Sequence, residues 1–176
     1  ESERGPMKRV IRNQTRGGKV PPQAMQQLQG AGLNAQEVAN LINNKIKQVA
    51  ALGFQNLNIE VEYDDSSKRI IRINVDYPPI TDIILKVAGK DSPSHQAGKE
   101  IIGDIPLEKL AEVALIKIEE LGSRSFKSAL KQVVSTCRSI GLSVNGKDPK
   151  EVIKEIDQGM YDELISKYEK ALSPQA

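Results

Sequence analysis

The chain has 176 residues, with 25 Lys and Arg against 23 Asp and Glu, so its net charge is only +2. This length suits one large domain or two small ones, and the balanced charge excludes a highly charged tail protein. One Cys and one His rule out a disulfide framework or a Cys/His zinc cluster within the chain. The sequence has no apolar run near the roughly 18 residues of a membrane span and no signal-peptide pattern at its start. We therefore expect a soluble, cytosolic protein.

The first half of the chain predicts a small α+β domain. We expect a loose tail over residues 1–6, a strand over residues 8–13 and a short helix over residues 23–29. Asn34 is a predicted helix cap, and the helix after it carries an apolar stripe made of Val38, Leu41, Ile42, Ile46, Val49 and Leu52. Residues 57–63 and 71–75 alternate with period two, which predicts an antiparallel hairpin with one solvent-exposed face.

The second half predicts helices. The pair Pro78-Pro79 marks a linker over residues 77–79 between a domain at 7–76 and a domain at 80–176. Apolar periodicity predicts helices at 80–88, 107–121 and 125–139, and a last acidic helix from 149 toward 172 with a break at Gly159. The predicted fold class is α+β: a small N-terminal α/β-sandwich-like domain followed by a C-terminal domain of three to four helices.

The helix over residues 125–139 is the segment that most suggests a function. One face is apolar at spacings of 3 and 4, through Phe126, Leu130, Val133, Cys137 and Ile140. Another face carries cations and hydroxyls, namely Arg124, Lys127, Lys131, Ser135 and Arg138, flanked by Thr136 and Ser139. Residues 121–147 hold five basic residues and no acidic one. This pattern favours contact with a nucleic-acid backbone over an ordinary solvated face, and the turn at residues 122–124 resembles a helix-turn-helix, which would suit DNA.

The remaining motifs do not indicate an enzyme. The segment from Gly141 to Asp148 nearly matches a phosphate-binding P-loop, but Asp148 stands where Ser or Thr would bind magnesium. We therefore predict a turn before a helix cap at this point. His95 is predicted to be an exposed loop residue and Cys137 a small core residue. The sequence predicts no catalytic group, no metal, no cofactor and no small-molecule substrate.

Residues 136–141 read Thr-Cys-Arg-Ser-Ile-Gly, which resembles the Thr-Ala-Arg-Ser-Met-Gly signature of the eleventh protein of the large ribosomal subunit, the stalk-base family. The resemblance continues in order through Gly32-Leu33-Asn34, Pro78-Pro79, Gly103-Asp104 and Gly146-Lys147-Asp148-Pro149. The acidic C-terminal segment is similar to that of the archaeal branch of the family.

The resemblance implies two small domains and a binding function. The C-terminal domain is expected to bind the GTPase-associated region of large-subunit rRNA, and the N-terminal domain to face translation-factor GTPases and the neighbouring stalk protein. The implied RNA-binding residues, together with nearby cations, are Lys86, Gly89, Lys90, Ser92, Lys99, Ser123, Arg124, Ser125, Lys127, Lys131, Ser135, Thr136, Arg138, Ser139 and Gly141. Pro21, Pro22 and Gln23 are the residues expected to face the translation factors or the RNA cleft.

The sequence also departs from the family pattern. Ser135 stands where many members have Gly, Cys137 replaces Ala, and residues 23–30 lack most of the proline series that members carry. We expect the basic start of the chain, Lys8, Arg9, Arg12, Arg16 and Lys19, to offset part of that loss through phosphate contacts. The sequence thus predicts a structural ribosomal protein, with an off-ribosome RNA-binding regulator and a helix-turn-helix DNA-binding protein as alternatives.

Overall fold

The computed structural model describes residues 7–96, 100–121 and 125–172. It divides the chain into two compact units at the Tyr77–Pro78 bond. The predicted tail at residues 1–6 and the predicted turn at residues 122–124 lie outside the described residues. Each unit has its own apolar core, so each is described by itself.

The first unit is a three-stranded antiparallel sheet with two helices on one of its faces. Its elements are β1 (Lys8–Gln14), α1 (Pro22–Gly30), α2 (Ala35–Ala51), β2 (Asn58–Asp64) and β3 (Ile70–Val75). The sheet order is β1-β2-β3, with Ile11 opposite Val61 and Val61 opposite Ile73. Alternate residues of β2 are buried against the helices, which confirms the predicted hairpin with one solvent-exposed face.

The second helix begins where the sequence predicts. The side chain of Asn34 accepts a hydrogen bond from the Glu37 backbone N–H, so one of the free donors of the first turn is satisfied. The buried face of α2 includes Val38, Ile42 and Ile46, and the first two belong to the core that α2 forms with the sheet. The predicted stripe is wrong at Leu41, which is 42% exposed, because 3.6 residues per turn place it almost opposite Ala39 on the helix, and Ala39 is buried.

The second unit is built around the predicted helices. Its elements are α3 (Ile80–Ala88), β4 (Gly103–Ile105), α4 (Leu107–Leu121), α5 (Phe126–Ile140), β5 (Leu142–Val144), α6 (Pro149–Asp157) and α7 (Asp162–Leu172). Helix α5 packs against α4 and α6, and its Phe126 ring stacks on Tyr168 of α7 with 5.0 Å between ring centroids. The predicted α+β class and the break at Gly159 are confirmed.

A short parallel pairing of β4 and β5 brings together two segments of this unit that are far apart in the sequence. Gly103 pairs with Leu142 and Ile105 with Val144. In the turn after β5, Asn145 accepts a hydrogen bond at its side-chain oxygen from the Leu107 N–H, 3.0 Å away, and so caps the start of α4 from a distant part of the chain. This arrangement positions the loop before β4 next to the C-terminal end of α5.

Candidate nucleic-acid interface

Helix α5 has one buried face, and the side chains on its other faces reach solvent. All the residues of its apolar stripe, from Phe126 to Ile140, are buried. Burial raises the pKa of the Cys137 thiol to about 12, so Cys137 is the core residue that the sequence predicts and not a nucleophile. The face that carries the basic and hydroxyl stripe is therefore turned outward over the residues from Lys127 to Ser139 that the structure describes.

Two cations of this stripe are paired with acids from the C-terminal segment. Lys131 Nζ lies 2.8 Å from Asp157 Oδ1, and Arg138 Nε lies 3.9 Å from Asp148 Oδ1. Residues 121–147 contain no acid, but folding brings both ends of the acid-bearing helix α6 beside α5. Lys127 forms no ion pair with any residue that the structure describes.

Two hydroxyl groups of α5 donate to backbone carbonyls of their own helix, and a third caps its start. The Ser125 hydroxyl accepts from the Ser128 backbone N–H and caps the start of the helix. The Thr136 hydroxyl donates to the Gln132 carbonyl at 2.9 Å, and the Ser139 hydroxyl donates to the Thr136 carbonyl at 2.7 Å. Because these hydroxyls already donate their hydrogens, they can offer a partner only their acceptor lone pairs. Such acceptors suit an RNA 2′-OH donor better than a phosphate oxygen.

The predicted RNA-contacting loop is fixed to the end of α5. Ser94 N–H donates to the Ile140 carbonyl at 2.7 Å, and Ile102 N–H donates to the Gly141 carbonyl at 2.8 Å. Gly141 has a φ of +96°, and a Cβ there would lie 2.6 Å from Ser94 Cβ and 2.9 Å from the Glu100 carbonyl oxygen. Gly141 is buried under this loop, so only a glycine allows the loop and the helix end to approach this closely.

The other predicted loop residues lie at the start of the same segment. Gly89 ends α3 in the left-handed conformation, with its N–H donating to the Lys86 carbonyl. Lys86, Lys90 and Ser92 are exposed, and the Lys90 side chain lies over Gly103. The predicted RNA-binding residues Lys99, Ser123 and Arg124 lie outside the described residues.

The near match to a P-loop has a structural explanation. Lys147 donates to both carboxylate oxygens of the buried Glu155, at 2.9 and 3.0 Å, and this hydrogen bond raises the pKa of Lys147. The Gly146 N–H donates to Asp104 Oδ1 at 2.7 Å. Because both the lysine and the backbone donor have protein partners, the segment forms the turn before helix α6 that the sequence predicts.

The N-terminal candidates lie in the first unit. Pro21 precedes α1, Pro22 is its first residue, and both line a surface depression with Gln23, Arg16 and Lys19. The remaining cations of the basic start face acids across the sheet, in the pairs Lys8–Glu62 (3.3 Å), Arg9–Asp65 (3.0 Å) and Arg12–Glu60 (2.9 Å). The cations available near the predicted proline site are therefore Arg16 and Lys19.

Comparison with known proteins places the chain in a family. Residues 76–144 match the family model described as Ribosomal protein L11, RNA binding domain. The large ribosomal subunit protein uL11 of Sulfolobus acidocaldarius is 39% identical over 138 residues, which cover 78% of this chain and 79% of that protein. The uL11 protein of Saccharolobus solfataricus is 37% identical over 165 residues, which cover 92% of this chain and 94% of that protein.

The chain belongs to the uL11 family. The uL11 protein of Desulfurococcus amylolyticus is 35% identical over 170 residues, and these cover 95% of this chain, so the likeness extends through both units. As a uL11 protein, the chain is a structural, non-enzymatic component of the large ribosomal subunit in the cytoplasm, and it carries an RNA-binding domain.

Across residues 7–96, 100–121 and 125–172, no helix is both long and apolar enough to cross a membrane. The same ranges hold no group of three His, Cys, Asp or Glu side chains placed to bind a metal ion.

Sequence reasoning missed two features of the candidate interface. The first is the pair of acids, Asp148 and Asp157, that lie beside the basic stripe. The sequence signal that could have predicted them is the change from basic residues at 121–147 to mostly acidic residues at 148–176. The second is Ile101, which is 67% exposed beside Arg138, and no periodic pattern distinguishes this residue in the sequence.

Proposed function

We propose that the C-terminal unit binds the GTPase-associated region of large-subunit rRNA at the stalk base. The interface consists of the loop that begins at Gly89 and the outward face of α5. The observation that carries this proposal is the fixed contact between the loop and Gly141, which holds two predicted RNA-contacting segments side by side. A surface formed before binding loses little conformational freedom on association and reads the shape of a folded RNA.

The charges of this surface suit a phosphate backbone. Lys86, Lys90 and Lys127 are exposed or half-exposed and form no ion pair among the residues that the structure describes. Lys131 and Arg138 are also on the surface, although each has an acidic neighbour. Cations of this kind position a protein on RNA by displacing counterions, and the hydroxyl acceptors of α5 distinguish RNA from DNA.

The N-terminal unit is the part that we propose meets the translation machinery. Pro21, Pro22 and Gln23 face the RNA cleft or the translation-factor GTPases, close to the neighbouring stalk protein. Their shared depression with Arg16 and Lys19 supports a contact with a negatively charged surface. Through the two units together, the chain helps translation-factor GTPases to engage the ribosome.

A binding titration tests the proposal. The full chain is titrated with a transcript of the GTPase-associated region at several salt concentrations, with a duplex DNA of equal length as the competitor. Lys127→Ala and Arg138→Ala should each weaken RNA binding and reduce the salt slope by roughly one unit. Lys109→Ala, on the exposed side of α4, is the matched control. Equal affinity for the duplex DNA, or no effect of either α5 variant, would contradict the proposal.

A further inference from the structure

The side chain of Ile101 is more exposed than any other large apolar side chain that the structure describes. It is 67% exposed, compared with 60% for Met160 and 42% for Ile71. Single exposed apolar residues are common on protein surfaces, so exposure alone implies nothing. What distinguishes Ile101 is where it lies and how its backbone is held.

The backbone on both sides of Ile101 is hydrogen-bonded. The Glu100 N–H donates to the Gln96 carbonyl at 2.9 Å, and the Ile102 N–H donates to the Gly141 carbonyl at 2.8 Å. Ile102 is half-buried, so the chain turns the side chain of Ile101 outward between two fixed neighbours. A side chain held in this way has little backbone freedom left to lose when a partner covers it.

Ile101 lies where the two parts of the candidate interface meet. It lines a small depression with Glu100, Arg138, Leu142 and Asp148, the acid 3.9 Å from Arg138, where the loop meets the end of α5. An apolar group beside a guanidinium is chemically suited to a nucleotide, because the cation meets the phosphate while the apolar group meets the base or the sugar. An unpaired base has a large apolar face, whereas a regular A-form helix hides the faces of its bases.

We propose that Ile101 is an apolar RNA contact that packs against an unstacked base or its ribose, next to the phosphate that Arg138 meets. This inference rests on the proposed function, since it assumes that the C-terminal unit binds RNA at this face. It assigns to the interface a contact that does not depend on charge. Such a contact favours a folded RNA with an exposed nucleotide over a regular duplex.

The test uses the full chain, the GTPase-associated transcript and a salt series. Ile101→Ala should weaken binding about fivefold, which is about 1 kcal/mol, at every salt concentration and with an unchanged salt slope. Ile101→Leu keeps the apolar area and should bind as the unmodified chain does. Ile71→Ala, on the exposed side of β3 in the first unit, is the matched control and should leave binding unchanged. A thermal unfolding midpoint common to all four proteins shows that the fold is intact.

The outcomes separate the two proposals. If Lys127→Ala and Arg138→Ala weaken binding but Ile101→Ala does not, the proposed function stands and the Ile101 contact is refuted. A loss for Ile101→Ala that comes with a changed salt slope, or an equal loss for Ile71→Ala, also refutes it. If the unmodified chain does not bind the transcript, both proposals fail.

Discussion

Replacing Asp157 with Asn should make the chain less stable and at the same time a tighter RNA binder. Asp157 pairs with Lys131 of α5 at 2.8 Å, and the two side chains are 50% and 35% exposed. RNA that uses Lys131 for a phosphate contact has to break this pair and also approach the carboxylate. The substitution removes both obstacles and keeps a side chain of nearly the same shape.

The expected magnitude follows from the exposure of the pair. Ion pairs with this much solvent access stabilise a protein by about 0.2 to 1 kcal/mol, because water screens the charges. Asp157→Asn should therefore lower the free energy of unfolding by that amount and increase RNA affinity by a factor of about 1.4 to 5. The salt slope should become steeper by up to roughly one unit, since Lys131 becomes free to displace a counterion.

The assay pairs chemical denaturation with RNA titration, and its control is Glu163→Gln. Glu163→Gln makes the same change in net charge as Asp157→Asn. Glu163 lies on the opposite side of α7 from the buried Ile165. In a Lys131→Ala background the gain from Asp157→Asn should shrink, since the cation it frees is absent. If Asp157→Asn and Glu163→Gln change affinity equally, or if Asp157→Asn weakens binding, the competition between acid and RNA is refuted.

Three further results are expected. Gly141→Ala should destabilise the chain by at least about 1 kcal/mol more than Gly89→Ala, because both glycines have positive φ but a Cβ at Gly89 would meet nothing within 4 Å; equal unfolding free energies would contradict this. Cys137, with its pKa raised to about 12 by burial, should resist a thiol reagent at pH 8 until the chain unfolds, and rapid labelling of the native protein would contradict its burial. A fragment of residues 77–176 should bind the transcript within about tenfold of the full chain, or about 1.4 kcal/mol, and a larger loss would make the N-terminal unit an RNA clamp.

Periodicity predicted the parts of this fold that depend on local sequence. The two faces of α5, the cap at Asn34 and the break at Gly159 all leave a signal within a few residues, since a helix repeats every 3.6 residues and caps have fixed offsets. Leu41 was misplaced because the predicted stripe left out Ala35 and Ala39, whose burial centres the buried face of α2 away from Leu41.

Contacts between distant parts of the chain could not be predicted in this way. Strand β4 has three residues, too few to show alternation, and its partner β5 lies on the far side of two helices in the sequence. The pairing of Lys131 with Asp157 likewise depends on how α6 packs against α5. The RNA interface on one face of α5 stays a prediction, and the acids that pair with its cations became visible only in the fold.

The single residue between helix α5 and strand β5 limits how chains of this kind can change in length. Gly141 ends the helix, and Leu142 already pairs with Gly103. An inserted residue at this junction would shift β5 by one position and turn the buried Leu142 and Val144 toward the side that Ser143 occupies. One inserted between Lys90 and Ser94, by contrast, only lengthens a connection. Evolutionary insertions and deletions should therefore accumulate in the loop after Gly89 and be purged at the end of α5, so the loop can adapt to different RNAs while the helix end keeps its place.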